Sequence, residues 1–142
     1  MIDRLNPDWA ALILRLSLGL VLLAHSLYLK MVVFTLAGTA DFFNSVGLPG
    51  LLAYGAFLIE TLAGIALIAG WHSRFWAVLV IPVLLGATWV HLGNGWLFTN
   101  AGGGWEYPLF LTAMAMVQMC LGDGKYAFSA RQSMVYQQEA SQ

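Results

Sequence analysis

Between Trp9 and Leu121 the chain runs through four apolar segments separated by short polar breaks. They are Trp9 to Leu29, Leu51 to Gly70, Phe75 to Leu92, and a shorter run, Tyr107 to Leu121, whose helix should begin near Trp105. A helix needs about 20 residues at ~1.5 Å each to cross the hydrocarbon of a bilayer. Composition agrees, since only 9% of the 142 residues are charged, where soluble domains carry about 25%. The expected fold is therefore all-α, a polytopic membrane protein that is a single domain over residues 1–142. Its four transmembrane helices lie at about 9–29, 51–70, 75–92 and 105–121, with a polar tail at 125–142. Short turns make consecutive helices antiparallel neighbours, which gives an up-down-up-down bundle.

Local signals refine this picture. Pro108 falls in the first turn of the fourth helix, where its missing N–H costs nothing. Pro82 lies inside the third, where neighbouring helices can tolerate it. Arg15 interrupts the first apolar run and no small-x-small cleavage site follows, so that run reads as a retained helix and not a signal peptide. Arg4, Arg74, Lys125 and Arg131 fall on one side of a four-span layout and only Lys30 on the other. The positive-inside rule then puts both termini and the turn "WHSR" in the cytoplasm. In the first outer loop, Phe42, Phe43 and Val46 are spaced for one turn of interfacial helix. The tail beyond Lys125 is expected to fray.

Several function classes drop out. The net charge of −1 and the lack of any Lys/Arg run offer nothing to nucleic acid. Cys120 is the single cysteine, so the chain holds neither its own disulfide nor a Cys-based zinc site. Set in an apolar run, Cys120 is expected to be buried and inert. There is no GxSxG, and "GGGWE" lacks the GK[ST] ending of a phosphate loop.

Glu60 stands alone as a charge in "LIETLAGIALIAG". An ionised group at the centre of a span costs ~2.5–3.5 kcal/mol even on lenient scales. It should therefore face the interior, and Ala53, Ala56, Ala63 and Gly64 lie on or near its face, where small residues let another helix approach. Arg15, about 9 Å into the first helix by helical rise, is the expected partner. An Arg15–Glu60 pair has two readings, a structural pair that fixes register or a titratable proton relay. A second group is expected at the outer mouth: His25, Lys30, His91, Trp96, Trp105, Glu106 and Tyr107. Taken singly, its aromatic residues fit an interfacial belt and Lys30 a snorkelling side chain. His25 and His91 sit at helix ends without a HxxxH or ExxH pattern, so no metal is expected.

An ordered set of motifs resembles the DoxX family of small bacterial inner-membrane proteins, over roughly residues 10–130. It comprises "LILRLSLGLVLLAHSLYLK", "GLPG", "IETLAGIALIAGWHSR", "WVHLGNG", "GGGWEYPL" and "LGDGKYAFSA". The chain departs from the family pattern at Ser26, Asp123 and Ala130. The resemblance implies a four-helix protein of the bacterial inner (plasma) membrane. Some members are subunits of thiosulfate:quinone oxidoreductases, and others are linked to redox or thiol-stress complexes. On that basis the expected function is the membrane subunit of a redox system handling quinone or a similar lipophilic carrier. His25, Lys30, His91, Trp105, Glu106 and Tyr107 would bind the carrier, and Glu60 with Arg15 would relay protons. No electron-carrier motif is encoded, so a partner subunit or a homo-oligomer is implied. The alternative is a non-enzymatic scaffold, or a carrier for a small hydrophobic or anionic molecule.

Overall fold

The computed structural model describes residues 6–129, and every regular element among them is helical. Helix α1 (Pro7–Leu23) starts where the Asn6 side chain accepts the Asp8 N–H and Pro7 takes the first helical position. It continues without a break as a π-helix, Ala24–Val33. At its end the Phe34 N–H reaches back five residues to Leu29 O, at 2.8 Å. Thr35 caps α2 (Leu36–Ser45) by accepting the Gly38 N–H. Helix α3 (Leu51–Ala69) stops at Gly70, whose φ of 69° is the left-handed cap that glycine allows. Helix α4 (Ser73–His91) runs uninterrupted through Pro82 into one 3₁₀ turn, Leu92–Asn94, and α5 (Glu106–Leu121) ends at Gly122.

Among the described residues, three stretches are long and apolar enough to cross a membrane: Pro7–Val33, Leu51–Ala69 and Ser73–Asn94. Helix α5, with 16 residues, is shorter, at about 24 Å. Large apolar side chains such as Ile13, Leu20, Leu58, Ile65, Phe75, Leu85 and Phe110 face outward. An apolar exterior on this scale suits lipid and not water. The protein is a helical membrane protein.

Helix α1 packs on α3 and α5, α3 also on α4, and α4 most extensively on α5, so these four close a ring. Leu18, Leu22, Ala63, Leu67, Val80, Leu84, Leu111 and Ala115 fill it. The α1–α3 crossing is backbone on backbone: a Cβ on Gly19 would lie 2.8 Å from Gly64 O, and one on Gly64 3.0 Å from Gly19 O. Such close approach is how helices associate where no hydrophobic force separates helix from lipid. Helix α2 rests on α3 and on the π-helical extension.

Four expectations change. The first helix extends past Leu29 to Val33, because the π-helix carries it on. Phe42 and Phe43 belong to a ten-residue helix and not to a single turn. Cys120 is exposed on the outer surface of α5. The tail does not fray at its start either. The Lys125 N–H donates to Asp8 O (3.1 Å), the Ser129 N–H donates to Gly70 O (3.3 Å), and Ala127 is buried. The rest of the tail, with Ala130 and Arg131, and Arg4 at the other terminus, lie outside the described residues. We call the end built from Asp8, Gly70, Ser73 and residues 122–129 basal, and the end carrying His25, His91 and Trp105 apical.

Candidate functional site

Helix α1 buries a stripe of Ala11, Arg15, Leu18, Gly19, Leu22 and Ser26. Lys30 continues that stripe four residues past Ser26, because the helix does not end first. Its ammonium donates to Glu60 Oε2 in a direct salt bridge. Both partners are removed from water, with side chains only 18% and 7% exposed. The Lys30 carbonyl lies 3.4 Å from the Thr39 hydroxyl, which donates mainly to Thr35 O at 2.8 Å. Helix α2 is thereby tied down beside the pair.

The expected Arg15–Glu60 pair does not form. Side chains lean toward the N-terminus of their own helix. Helices α1 and α3 are antiparallel, so Arg15 leans toward the basal end while Glu60 leans toward the apical end. Lys30, higher on α1, leans down to meet Glu60. Arg15, 1% exposed, instead donates through Nη1 to Leu67 O (2.9 Å) and Ile68 O (2.7 Å) and through Nη2 to Lys125 O (2.9 Å). Leu67 and Ile68 lie in the last turn of α3, beyond the regular i to i+4 ladder, where Leu67 O also accepts the Gly70 N–H (3.1 Å) and the helix dipole is negative. Arg15 is thus a cap for another helix. Asp123 does the reciprocal service, its Oδ1 accepting the Ser73 N–H (2.6 Å) at the start of α4.

At the apical end the two histidines are held alike. His25 Nδ1 is 2.9 Å from Val21 O and His91 Nδ1 is 2.7 Å from Ala87 O. A carbonyl only accepts, so in each ring Nδ1 carries the proton and Nε2 is left free as an acceptor while the ring is neutral. His25 stacks on Tyr107, with centroids 5.9 Å apart and planes at 27°. His91 sits under the glycine run, near Gly103. The loop above is built and not slack. Asn94 Nδ2 donates to Gly102 O and Gly103 O, Trp96 meets Trp105 edge-on at 4.4 Å, and Glu106 Oε1 accepts the Phe98 N–H at 2.9 Å. A Cβ on Gly104 would lie 2.2 Å from Leu97 O, so only glycine fits there.

These parts border an open groove of about 470 Å³ lined by Trp96, Phe98, Glu106, Tyr107, Phe110 and Ala113. The structure therefore joins Tyr107, Glu106 and Trp96 at one groove, with His25 behind Tyr107 and Trp105 behind Trp96. Lys30 is not part of this mouth, because its ammonium is committed to Glu60. His91 contacts the loop and not His25's partner. Sequence reasoning placed Asp123 in a helix-terminal turn without its capping role, and passed over Asn94. The signal for Asp123 was its place between Gly122 and Gly124 directly after a helix.

The DoxX family matches residues 10–93, which take in α1 through α4, with Arg15, His25, Lys30, Glu60 and His91. A protein of Bacillus subtilis (strain 168) named "Putative oxidoreductase CatD" is 34% identical over 76 residues, 54% of this chain and 54% of its own length. The chain thus aligns with about half the length of that curated relative. No solved structure matches it. With more than half of its residues inside the family match, the chain belongs to the DoxX family.

Proposed function

We propose that this protein is the membrane subunit of a redox system, handling a quinone or similar lipophilic carrier whose electrons a partner supplies. One observation carries the reading: a hydrogen-bonding imidazole, His25, is stacked on Tyr107, which itself lines an aromatic groove in a membrane protein. A quinone needs an apolar slot, a polar group at its oxygen, and a route for the protons that accompany electrons. The groove supplies the slot, with Trp96, Phe98 and Tyr107 against the ring. His25 Nε2 accepts from the hydroxyl of a reduced carrier, and as imidazolium it donates to the carbonyl of an oxidised one. Glu60, held by Lys30, is the deeper ionisable group that would exchange protons. The relative's name supports a redox role for the family. A single cysteine and no flavin or iron–sulfur fingerprint leave the electron donor to a partner.

In this reading α5 is a fourth span and the ring is an up-down-up-down four-helix bundle of the bacterial plasma membrane. Arg74 and Lys125 then mark the basal end as cytoplasmic. Lys30, neutralised by Glu60, no longer counts against that orientation.

Native mass spectrometry of the protein, extracted with its own lipids, tests the proposal. A retained quinone, or a co-purifying subunit carrying flavin, haem or iron–sulfur, is expected, with quinone retention lost in His25→Ala and Tyr107→Ala. A protein that carries phospholipid alone and no redox subunit would overturn it and favour a scaffold or carrier.

A further inference from the structure

The basal end holds polar atoms that the apical site does not use. Arg15 Nε, Ser73 Oγ, Trp76 Nε1 and Gln118 Oε1 are buried and make no hydrogen bond among the described residues. Arg15, Ser73 and Gln118 are 1%, 0% and 0% exposed. All three are tied to one turn, residues 122–125. The Ser73 N–H donates to Asp123 Oδ1 (2.6 Å), Gln118 Nε2 to Gly122 O (2.6 Å), and Arg15 Nη2 to Lys125 O (2.9 Å). Two side chains, from α1 and α5, and the first amide of α4 therefore reach the same turn, and Arg15, Gln118 and Ser73 each keep one further side-chain polar atom unused.

The chemistry of those atoms selects the occupant. Arg15 Nε–H and Trp76 Nε1–H donate, Gln118 Oε1 accepts, and the Ser73 hydroxyl does either. An anion would meet Gln118 Oε1 and the Asp123 carboxylate, and a cation would meet the Arg15 guanidinium. Water both donates and accepts, and buried waters typically make about three hydrogen bonds to groups that the protein leaves unpaired. We propose that the basal end is an internal water site, in which ordered water bonded to Arg15, Ser73 and Gln118 joins α1, α4 and α5 beneath the 122–125 turn. The joint is independent of the redox reading, because none of its residues lines the apical groove. It also places water in contact with the guanidinium that caps α3, inside a ring whose other walls are apolar.

Hydroxyl-radical footprinting of the full chain in lipid nanodiscs, with H₂¹⁸O as the probe, tests this. Radicals formed from internal water should label the Trp76 indole with ¹⁸O, and the label should be lost in Ser73→Ala combined with Gln118→Met. An unlabelled Trp76, or a label that persists in the double variant, would overturn the proposal. Ser73→Ala alone gives a second readout in case the double variant fails to fold. If the hydroxyl bonds water, removing it lowers the melting temperature. If it is truly unpaired, alanine leaves the melting temperature unchanged or raises it, and the water site is refuted.

Discussion

The Lys30–Glu60 pair can be tested by a double-mutant cycle with methionine at both positions. Lys30→Met leaves Glu60, 5% exposed, as a buried carboxylate without a counter-charge. Removing one partner of a buried pair costs about 3–5 kcal/mol. Glu60→Met is milder, because Lys30 is 18% exposed and lies near the end of a 27-residue helix. Its flexible stem can turn the ammonium toward water, so a cost of about 1–2 kcal/mol is expected. With both replaced, neither charge needs solvation and the two methionines pack. The double variant should fall within about 1 kcal/mol of the parent, or exceed it. The cycle therefore predicts a coupling of about 3 kcal/mol or more, against a few tenths for independent sites. Reversible unfolding in dodecyl sulfate mixed micelles, followed by tryptophan fluorescence, measures all four proteins. A double variant as unstable as Lys30→Met alone would refute the pairing. The matching Arg15/Glu60 cycle should be additive, and a rescue there would reinstate the pair that spacing alone suggested.

Other consequences follow from the same geometry. Arg15→Lys keeps the charge but cannot fork onto Leu67, Ile68 and Lys125 carbonyls, so it should lose about 2–3 kcal/mol in the same unfolding assay. Asp123→Ala should uncap α4 at a cost of about 1 kcal/mol and speed hydrogen exchange at the Ser73 amide. Gly64→Val drives a side chain into Leu23 and Gly19 O, and should destabilise by about 2 kcal/mol or more. Gly104→Ala meets the Leu97 carbonyl, so it should change the Trp96 and Trp105 fluorescence and abolish carrier retention while leaving helix content intact.

The helical fold was legible because apolar run length is a nearly local signal. The seam beside Glu60 was legible too, since Ala53, Ala63 and Gly64 fall at helical spacing and are buried. The partner of Glu60 was not. Reading the first helix as ending at Leu29 put Lys30 in a loop, and nothing in the composition of "AHSLYLKMVV" announces ten residues of π-helix. The cap by Arg15 was hidden for a different reason. It joins residues 52 and 53 positions apart, and a bond to backbone carbonyls carries no side-chain signature at the far end. The apical mouth was half legible: glycines, aromatics and histidines mark it, but which ring meets which depends on packing.

The two cations of α1 divide their labour by the direction in which side chains lean. Where Gly19 meets Gly64 the antiparallel helices touch, and this fixes their register. Below that crossing, a long side chain on α1 points to the basal end and finds the last turn of α3, whose carbonyls want a donor. Above it, a long side chain on α1 points back toward the crossing, while one on α3 points up and away from it. Opposite charges placed there converge, as Lys30 and Glu60 do. Exchanging the two cations, Arg15→Lys with Lys30→Arg, conserves every charge yet should disturb both ends unequally. Arginine at position 30 can still pair with Glu60, whereas lysine at position 15 offers one ammonium where a planar fork bridges two carbonyls of α3 and one of the tail. The destabilisation of the exchanged protein should therefore equal that of Arg15→Lys alone. A loss well beyond that value would mean that Lys30 is required for its shape, and that the slot around Glu60 admits an ammonium but not a guanidinium.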